Sequence, residues 1–404
     1  MLPEQKFNLD SQEFYRNSNA IFAQLREEAP VLEQVSAYGR RMWYVSRYAD
    51  VEAVLRDNEH FRMDFRAAFD PADLDTLNRP QLMDMVNNHL LTKDGEDHRR
   101  LRSLVTQAFT PRRIAALRPR IQQIADGLID SVQAAGAMDL VEDYAFPLPI
   151  TVIAELLGIP VADRASFREW SDAFVSGPFK GDDASFNQSA MGFVTYLGRI
   201  FEERRKAPKD DLISALLQVE EAGSRLSTPE LFSMVVLLII AGHETTVTLI
   251  GNATVALLTH PEAMAYLKTH PEDMPQAVEE FLRYESPVQR ALARWAVADV
   301  ELGGKQIRRG DMVVPVLGSA NRDEQVFRHS TEMDIERPSL SAHLAFGKGV
   351  HYCLGAPLAR LEGEIALNTL LRRLPGIHLA VAEPELRYRE TPLFHAFAHI
   401  PVGW

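Results

Sequence analysis

The sequence predicts one mainly α domain with a minor antiparallel β part, covering residues 1–404. Three observations predict it. Apolar residues recur at helical spacing from about residue 98 to 285. Residues 295–317 (WAVADVELGGKQIRRGDMVVPVL) instead show short β-type runs broken by Gly303-Gly304 and Arg309-Gly310, the pattern of a small antiparallel sheet. No Gly/Ser linker, low-complexity segment or internal repeat divides the chain, although 404 residues is long for one domain.

Taken in order, residues 42–55 (MWYVSRYADVEAVL) read as a strand followed by a helix. The stretch from about 72 to 92 is mixed in polarity and expected to be loop-rich. Pro229 to about Leu258 reads as one long helix: Thr228 suits the N-cap, Pro229 the first turn, and Ser227 to Glu230 has capping-box spacing. His260-Pro261 ends it. Its middle, MVVLLIIA, is apolar on every side, so a buried helix is expected. A loop at 318–352 precedes a last helix, in which Leu354, Leu358, Leu361, Ile365 and Leu374 fall on one stripe. The terminal segment carries Pro384, Pro392 and Pro401.

Composition narrows the function classes. A net charge of −13 argues against nucleic acid as a partner. One cysteine excludes an internal disulfide and a multi-cysteine zinc site. The N-terminus, MLPEQKFNLD, has no basic region followed by an apolar run, and the most apolar stretch, Met234 to Ala241, is short for a bilayer. A soluble, cytoplasmic protein with no nucleic-acid and no membrane partner is expected. Against the acidic average, His98 to Arg120 holds seven arginines and no Asp or Glu. Such a run is either a solvated helix face or a docking patch for an acidic partner.

The chemistry centres on Cys353. A lone cysteine is usually a small buried hydrophobe. Here it stands in Phe346-Gly347-Lys348-Gly349-Val350-His351-Tyr352-Cys353-Leu354-Gly355, with three glycines at fixed offsets. Glycines permit positive φ and close backbone approach to a flat ligand. The apolar stripe that follows places Cys353 near a helix N-terminus, where free N–H groups and the dipole stabilise a thiolate. In the long helix, Gly242, Glu244 and Thr245 are a poor structural choice: a weak helix former, a buried carboxylate and a hydroxyl that competes for backbone.

FGKGVHYCLG resembles the FGxGxHxCxG haem loop of bacterial soluble cytochromes P450. The likeness extends to Ala241-Gly242-His243-Glu244-Thr245-Thr246, Glu280-Phe281-Leu282-Arg283, Asn321-Arg322-Asp323 and His343-Leu344-Ala345-Phe346, in this order. By these motifs the chain is identified as a member of that family. The resemblance implies a cytochrome P450-like fold with haem b between the long central helix and the Cys-loop helix. It implies Cys353 as the iron ligand, with Phe346, Gly347, Gly355 and Ala241 beside the haem. His98 and Arg102, in a segment similar to the family's HxRxR helix, would hold the propionates together with Arg294 and His351. Thr245 would hold the oxygen being activated, and Glu244 would relay protons from solvent, because heterolytic O–O cleavage consumes two protons. A local widening of the helix at this point would open a groove for O₂ and water.

Glu280 and Arg283 correspond to the family's ExxR pair, completed by an upstream arginine for which Arg337 is the candidate. The sequence departs from the family there, with Met333 where an aromatic is common and few of the usual prolines. Family position suggests Leu237, Ile240, Ala241, Val288, Ala291, Leu292, Leu393 and Phe394 as the substrate pocket. The 72–92 loop and Phe174–Phe186 would form its lid. Arg99, Arg100, Arg112, Arg113 and Lys348 would face a ferredoxin or flavodoxin, which carries electrons from NAD(P)H because no reductase segment follows Cys353.

The expected activity is therefore insertion of one oxygen atom from O₂ into a lipophilic small molecule, such as a steroid, terpenoid, fatty acid or macrolide, by a monomeric enzyme. Two rivals are a peroxide-driven peroxygenase and a non-catalytic haem-binding sensor. The Glu244-Thr245 pair counts against both, since it serves O₂ activation, and a sensor usually carries an output module.

Overall fold

A computed structural model describes residues 7, 9, 12–36, 39–74, 87–163, 166, 170, 183–219, 224–389, 391 and 394–404. Its longer helices are α1 (Gln12–Glu28), α2 (Tyr48–Arg56), α3 (Gly95–Ala108), α4 (Arg118–Val132), α5 (Pro147–Leu157), α6 (Asp183–Lys206), α7 (Thr228–Thr259), α8 (Pro261–Thr269), α9 (Met274–Tyr284) and α10 (Ala356–Arg373). Two compact units organise them. One takes in residues 1–77, 126–145 and 245–404; the other takes in 78–125 and 146–244.

The first unit holds the strands found among the described residues. They are β1 (Val31–Val35), β2 (Arg41–Val45), β3 (Phe61–Arg62), β4 (Ala137–Asp139), β5 (Arg294–Ala296), β6 (Val300–Leu302), β7 (Lys305–Ile307), β8 (Met312–Pro315), β9 (His378–Leu379) and β10 (Pro401–Gly403). A five-stranded sheet runs β1-β2-β8-β5-β3. Its β2–β8 pairing is parallel (Met42↔Met312), while its other pairings are antiparallel. Val31, Trp43, Val45, Phe61 and Val313 bury one face against Val51, Val54 and Leu55 of α2. Trp43 can be buried because its indole N–H donates to Asp311 at 2.8 Å. Gly303 and Gly304, with φ of 55° and 74°, make the two-residue turn of the β6–β7 hairpin. Residues 295–317 do form β structure, but not one sheet: β6–β7 is a separate hairpin, while β5 and β8 belong to a mixed sheet completed by β1, β2 and β3.

The same unit packs α9 and α10 on the C-terminal half of α7. Leu249, Ala253, Ala256 and Leu257 meet Met274, Val278, Phe281 and Leu282 of α9 and Leu367 and Leu371 of α10. Gly363 sets the approach distance, since a Cβ there would lie 3.1 Å from Leu249.

The regular elements among the second unit's described residues are helices. Phe193, Leu197, Ile200 and Phe201 of α6 and Val152, Ile153, Leu156 and Leu157 of α5 are buried at helical spacing. Arg204 is buried because Asp211 (2.5 Å) and the Gly158 carbonyl (2.7 Å) take its N–H groups.

Helix α7 starts as its capping-box spacing suggests. The Ser227 N–H and hydroxyl both donate to Glu230 at 2.8 Å. Ser227, not Thr228, is thus the capping residue, and the Thr228 hydroxyl accepts from Arg205 instead (2.9 Å). By length and apolar composition Thr228–Thr259 could cross a membrane, so the reading that its apolar stretch is too short does not hold. What marks it as a core helix is that Ser233, His243, Glu244, Thr246 and Asn252 are buried along it.

Glu362 of α10 is 1% exposed, and its Oε2 has no hydrogen-bond partner among the described residues. Burial pushes its carboxyl well above the usual range, so the folded protein binds this proton more tightly than the unfolded chain. Stability from this group is then greatest at low pH and falls as pH rises above the unfolded value, levelling off above the folded one. Glu362→Gln, which mimics the protonated acid, should raise the thermal midpoint over wild type at pH 8. That advantage should shrink toward pH 4. Melting curves across this range decide it, and a pH-independent difference would show that burial does not control this group.

Candidate active site

The loop before Cys353 is shaped by two glycines at positive φ, Gly347 (69°) and Gly349 (74°). At Gly349 a Cβ would also sit 2.7 Å from the Leu55 carbonyl oxygen, so glycine is needed twice over. The Leu344 N–H donates to Asn321 Oδ1 (2.6 Å), the Gly347 N–H to the Leu344 carbonyl (2.8 Å), and the Cys353 N–H to the Phe346 carbonyl (3.0 Å). Gly355 is the N-cap of α10, so Cys353 stands two residues before the cap. Cys353 is exposed, as are Val350 and Tyr352 just before it. A fixed, accessible thiol flanked by apolar side chains fits a flat, largely apolar cofactor that takes a sulfur ligand.

Behind the loop, Arg360 clamps Glu279 with two hydrogen bonds (2.6 and 2.8 Å) and lies 4.5 Å over the Phe346 ring. His343 meets the same carboxylate at 3.1 Å while its Nδ1 accepts from the Ala345 N–H, so the proton toward Glu279 is on Nε2. Burial pushes the Glu279 carboxyl up, but Arg360 and His343 outweigh it and hold it at about 2. Sequence spacing gave no sign of this cluster; the adjacency of Glu279 to Glu280 was its only trace.

Glu280 and Arg283 are both fully buried and meet through two 2.7 Å hydrogen bonds. The remaining Arg283 N–H groups donate to the carbonyls of Asn321 (3.1 Å), Ser330 (2.8 Å) and Glu332 (2.9 Å). Arg337 reaches Glu280 at 3.4 Å and donates to the Glu332 carbonyl at 2.9 Å.

On α7, Ala241 is exposed, and Leu237, Ile240, Gly242 and Thr245 are half-buried. These positions form one stripe of the helix. The apolar run is therefore not buried all round: one face of it is accessible. The helix is α throughout, with no widened turn at Gly242, which corrects the expected distortion. Glu244 is 1% exposed, and its Oε1 lies 3.4 Å from Nε2 of the fully buried His243. His243 Nδ1 sits 2.8 Å from the Ile239 carbonyl and must carry a proton there. His243 stood unremarked within the AGHETT run.

The other predicted residues lie as follows. In the second unit, His98 is buried and Arg102 half-buried, one turn apart on α3. Arg99 and Arg112 are exposed, but Arg100 pairs with Glu230 and Arg113 with Asp210 (2.9 Å). In the first unit, Arg294 is buried on β5 and donates to Asn58 (3.3 Å), and His351 and Lys348 are half-buried. Val288 and Ala291 pack against the sheet core, Leu292 is exposed, and Phe394 pairs with Val288 as an isolated bridge. Leu393, Phe174 and residues 75–86 lie outside the described residues.

The family description "Cytochrome P450" matches residues 7–157 and 272–377. The chain belongs to the cytochrome P450 family. It is similar to the polyketide biosynthesis cytochrome P450 PksS of Bacillus subtilis, with 43% identity over 400 residues and 98% of each chain covered. The solved structure of PksS superposes with a TM-score of 0.92 over 98% of this chain and 99% of that one. Mycinamicin IV hydroxylase/epoxidase of Micromonospora griseorubida is 42% identical, covering 95% of this chain and 94% of that protein. A myxobacterial P450, CYP267B1, solved with myristic acid, is 40% identical with a TM-score of 0.90, covering 100% of this chain and 99% of its own. This P450 is thus a haem-thiolate monooxygenase whose cofactor is haem b, with NAD(P)H-derived electrons delivered by a redox partner.

Arg337→Ala should strand part of the Glu280 charge in a buried setting and cost about 3 kcal/mol of unfolding free energy. Urea titration of the holoprotein measures it; a loss within error of zero would show that Arg283 alone satisfies Glu280.

Proposed function

We propose that this P450 oxidises a polyketide-derived or fatty-acyl small molecule, as one domain over residues 1–404, with Cys353 ligating the haem iron. The observation that carries the assignment is the chain's only thiol, exposed on a loop whose shape Gly349 and Asn321 enforce. When bound, haem b supplies the activation of O₂, so that one oxygen atom enters the substrate and the other leaves as water at the expense of two electrons.

The protein's own residues do the rest. Near the α10 N-terminus, Cys353 is favoured as thiolate by the helix dipole and by the backbone turn that holds it. His98, Arg102, Arg294 and His351 offer cationic and hydrogen-bonding partners for the propionates, which are costly to desolvate unpaired. Glu244 faces His243 Nε2 at 3.4 Å, and Thr245, one residue on and half-buried, offers a hydroxyl on the accessible stripe of α7. These two groups supply and steer protons in the reaction. Leu237, Ile240 and Ala241 on that stripe, with Val288, Ala291, Leu292, Leu393 and Phe394, bind the apolar body of the substrate. The substrate class is supported by the polyketide named for PksS, the macrolide named for its Micromonospora relative, and the myristic acid in the myxobacterial structure.

The enzyme acts as a cytoplasmic monomer served by a separate ferredoxin or flavodoxin. Exposed Arg99 and Arg112, with Lys348, carry the docking; Arg100 and Arg113 are each held in a close ion pair and contribute less, whereas the pair of Arg99 with Glu96 is loose at 3.9 Å.

Reduced, CO-treated protein should show the red-shifted Soret band of thiolate ligation, and Cys353→Ala should lose it. A variant that keeps the band rules out Cys353 as the ligand. Thr245→Ala should lower product per NADH by about tenfold, with the balance released as hydrogen peroxide, and Glu244→Gln should slow turnover by about 10²-fold. Paired product and peroxide assays check both, and unchanged coupling would remove Thr245 from proton steering.

A further inference from the structure

Two of the segments assigned to the substrate pocket, around Val288 and Phe394, are joined by more than their own bridge. The His395 N–H donates to the Pro287 carbonyl at 3.1 Å. Its imidazole Nε2 lies 3.5 Å from Glu285 Oε2, at the C-cap of α9. The ring stacks on Tyr388 (centroids 4.2 Å apart), which stacks in turn on Phe397 (4.4 Å). Asn252 of α7 donates to the His395 carbonyl at 2.8 Å and to the Glu285 carbonyl at 3.4 Å. Arg322, from the Asn321-Arg322-Asp323 run, donates to Glu285 Oε1 (2.9 Å) and to the Tyr284 carbonyl (3.0 Å).

We propose that His395 and Glu285 form a clamp that sets the spacing of the Val288 and Phe394 walls of the pocket, making His395 a specificity-positioning residue that acts through its neighbours. The proposal rests on the assignment of those walls to the pocket.

Filling space is a poor explanation for this histidine. A buried imidazole costs more than an apolar ring of the same size unless a polar partner repays it. Burial, reinforced by Arg322, pushes His395 down to about 3, so the ring is neutral and carries one proton. Its Nδ1 is buried with no hydrogen-bond partner among the described residues, whereas Nε2 faces a carboxylate. The proton therefore belongs on Nε2, directed at Glu285. Stacking and the backbone bond fix the ring from its other sides. The clamp also has a bearing on the oxygen helix: Asn252 stands two turns beyond Thr245, on the same side of α7. One polar cluster thus ties both walls to the helix that carries Thr245.

The test uses the haem-loaded enzyme and two isomeric ligands, 1-phenylimidazole and 4-phenylimidazole, which ligate the iron with their phenyl rings at different angles. The ratio of their dissociation constants, read from the Soret shift, reports pocket shape without a known substrate. His395→Phe keeps the stacking and loses the donor; it should change this ratio by about tenfold. His395→Gln keeps a neutral donor toward Glu285 and should stay within about twofold of wild type. Glu285→Ala should shift the ratio in the same direction as His395→Phe, and decides the matter if the Phe variant fails to fold. A role confined to stability would lower the melting temperature and leave the ratio alone. Phe394→Ala separates the two levels of the argument: if it leaves the ratio unchanged, the pocket assignment falls and the clamp with it. If Phe394→Ala moves the ratio while His395→Phe and Glu285→Ala do not, the clamp alone is wrong, as it also is if His395→Gln and His395→Phe act alike.

Discussion

The carboxylate of Glu280, fully buried at the middle of α9, is the charge around which the haem-loop side of this P450 is arranged. An unpaired carboxylate there would cost several kcal/mol in desolvation alone. Arg283 meets it with two N–H groups and spends its other three on carbonyls of residues 321, 330 and 332, so that every guanidinium proton is used. The irregular segment after β8 is held by those carbonyls. Asn321, whose backbone is fixed this way, turns its side-chain oxygen to the Leu344 N–H and so anchors the start of the glycine loop. From there two backbone hydrogen bonds lead to Cys353. A buried ion pair is a weak source of net stability, but it is a strong source of uniqueness here: displacing the loop would leave a charge uncompensated.

The neighbouring acid does a similar job at the surface. Glu279 is held ionised by Arg360 and His343, and Arg360 extends over Phe346 and to the Tyr352 hydroxyl (3.2 Å) on either side of the cysteine loop. Two consecutive glutamates on α9 therefore grip the loop, one through backbone carbonyls and the other through aromatic side chains. Glu362 on α10 shows the contrast, a buried acid with burial as the sole influence on it. Glu279 has an arginine and a histidine to offset its burial, and Glu362 has neither.

Much of this was legible where the signal is local. The strand and helix of residues 42–55, the Gly303-Gly304 turn, the Ser227–Glu230 cap and the helix after Cys353 all follow from spacing within one or two turns. Pairings between distant segments were not legible. Nothing in residues 41–45 announces a parallel partner at 312–315, and nothing in Ala137–Asp139 announces β10, because strand register is decided by which faces are left to bury. The same limit applies to the site. Cys353, Glu244 and Thr245 stand in compact runs whose chemistry can be read residue by residue. His243, Glu279 and His395 become informative only once a partner from another element, or the turn of the helix itself, is placed beside them.

The arginine run shows how this limit changes a functional argument. Seven arginines without an acid between them suggest a strong local positive field, but the acids need not come from the same stretch. Glu230 neutralises Arg100, Asp210 neutralises Arg113, and Glu155 takes Arg120 in two hydrogen bonds of 2.7 and 2.8 Å. The Arg100 pair links α3 to the start of α7, the Arg120 pair links the start of α4 to α5, and the Arg113 pair reaches the segment after α6, so all three serve packing within their unit. Exposed pairs contribute little stability singly, yet they remove nearly a full charge each from the far field. What stays exposed of the proposed docking arginines is a narrower feature, Arg112 together with Arg99, whose pair with Glu96 is loose at 3.9 Å. In the docking proposed for it, a small patch of exposed charge is enough to steer encounter, because steering depends on the potential at the contact face and not on the total count. It also discriminates better: a partner must match a few positions instead of a diffuse field.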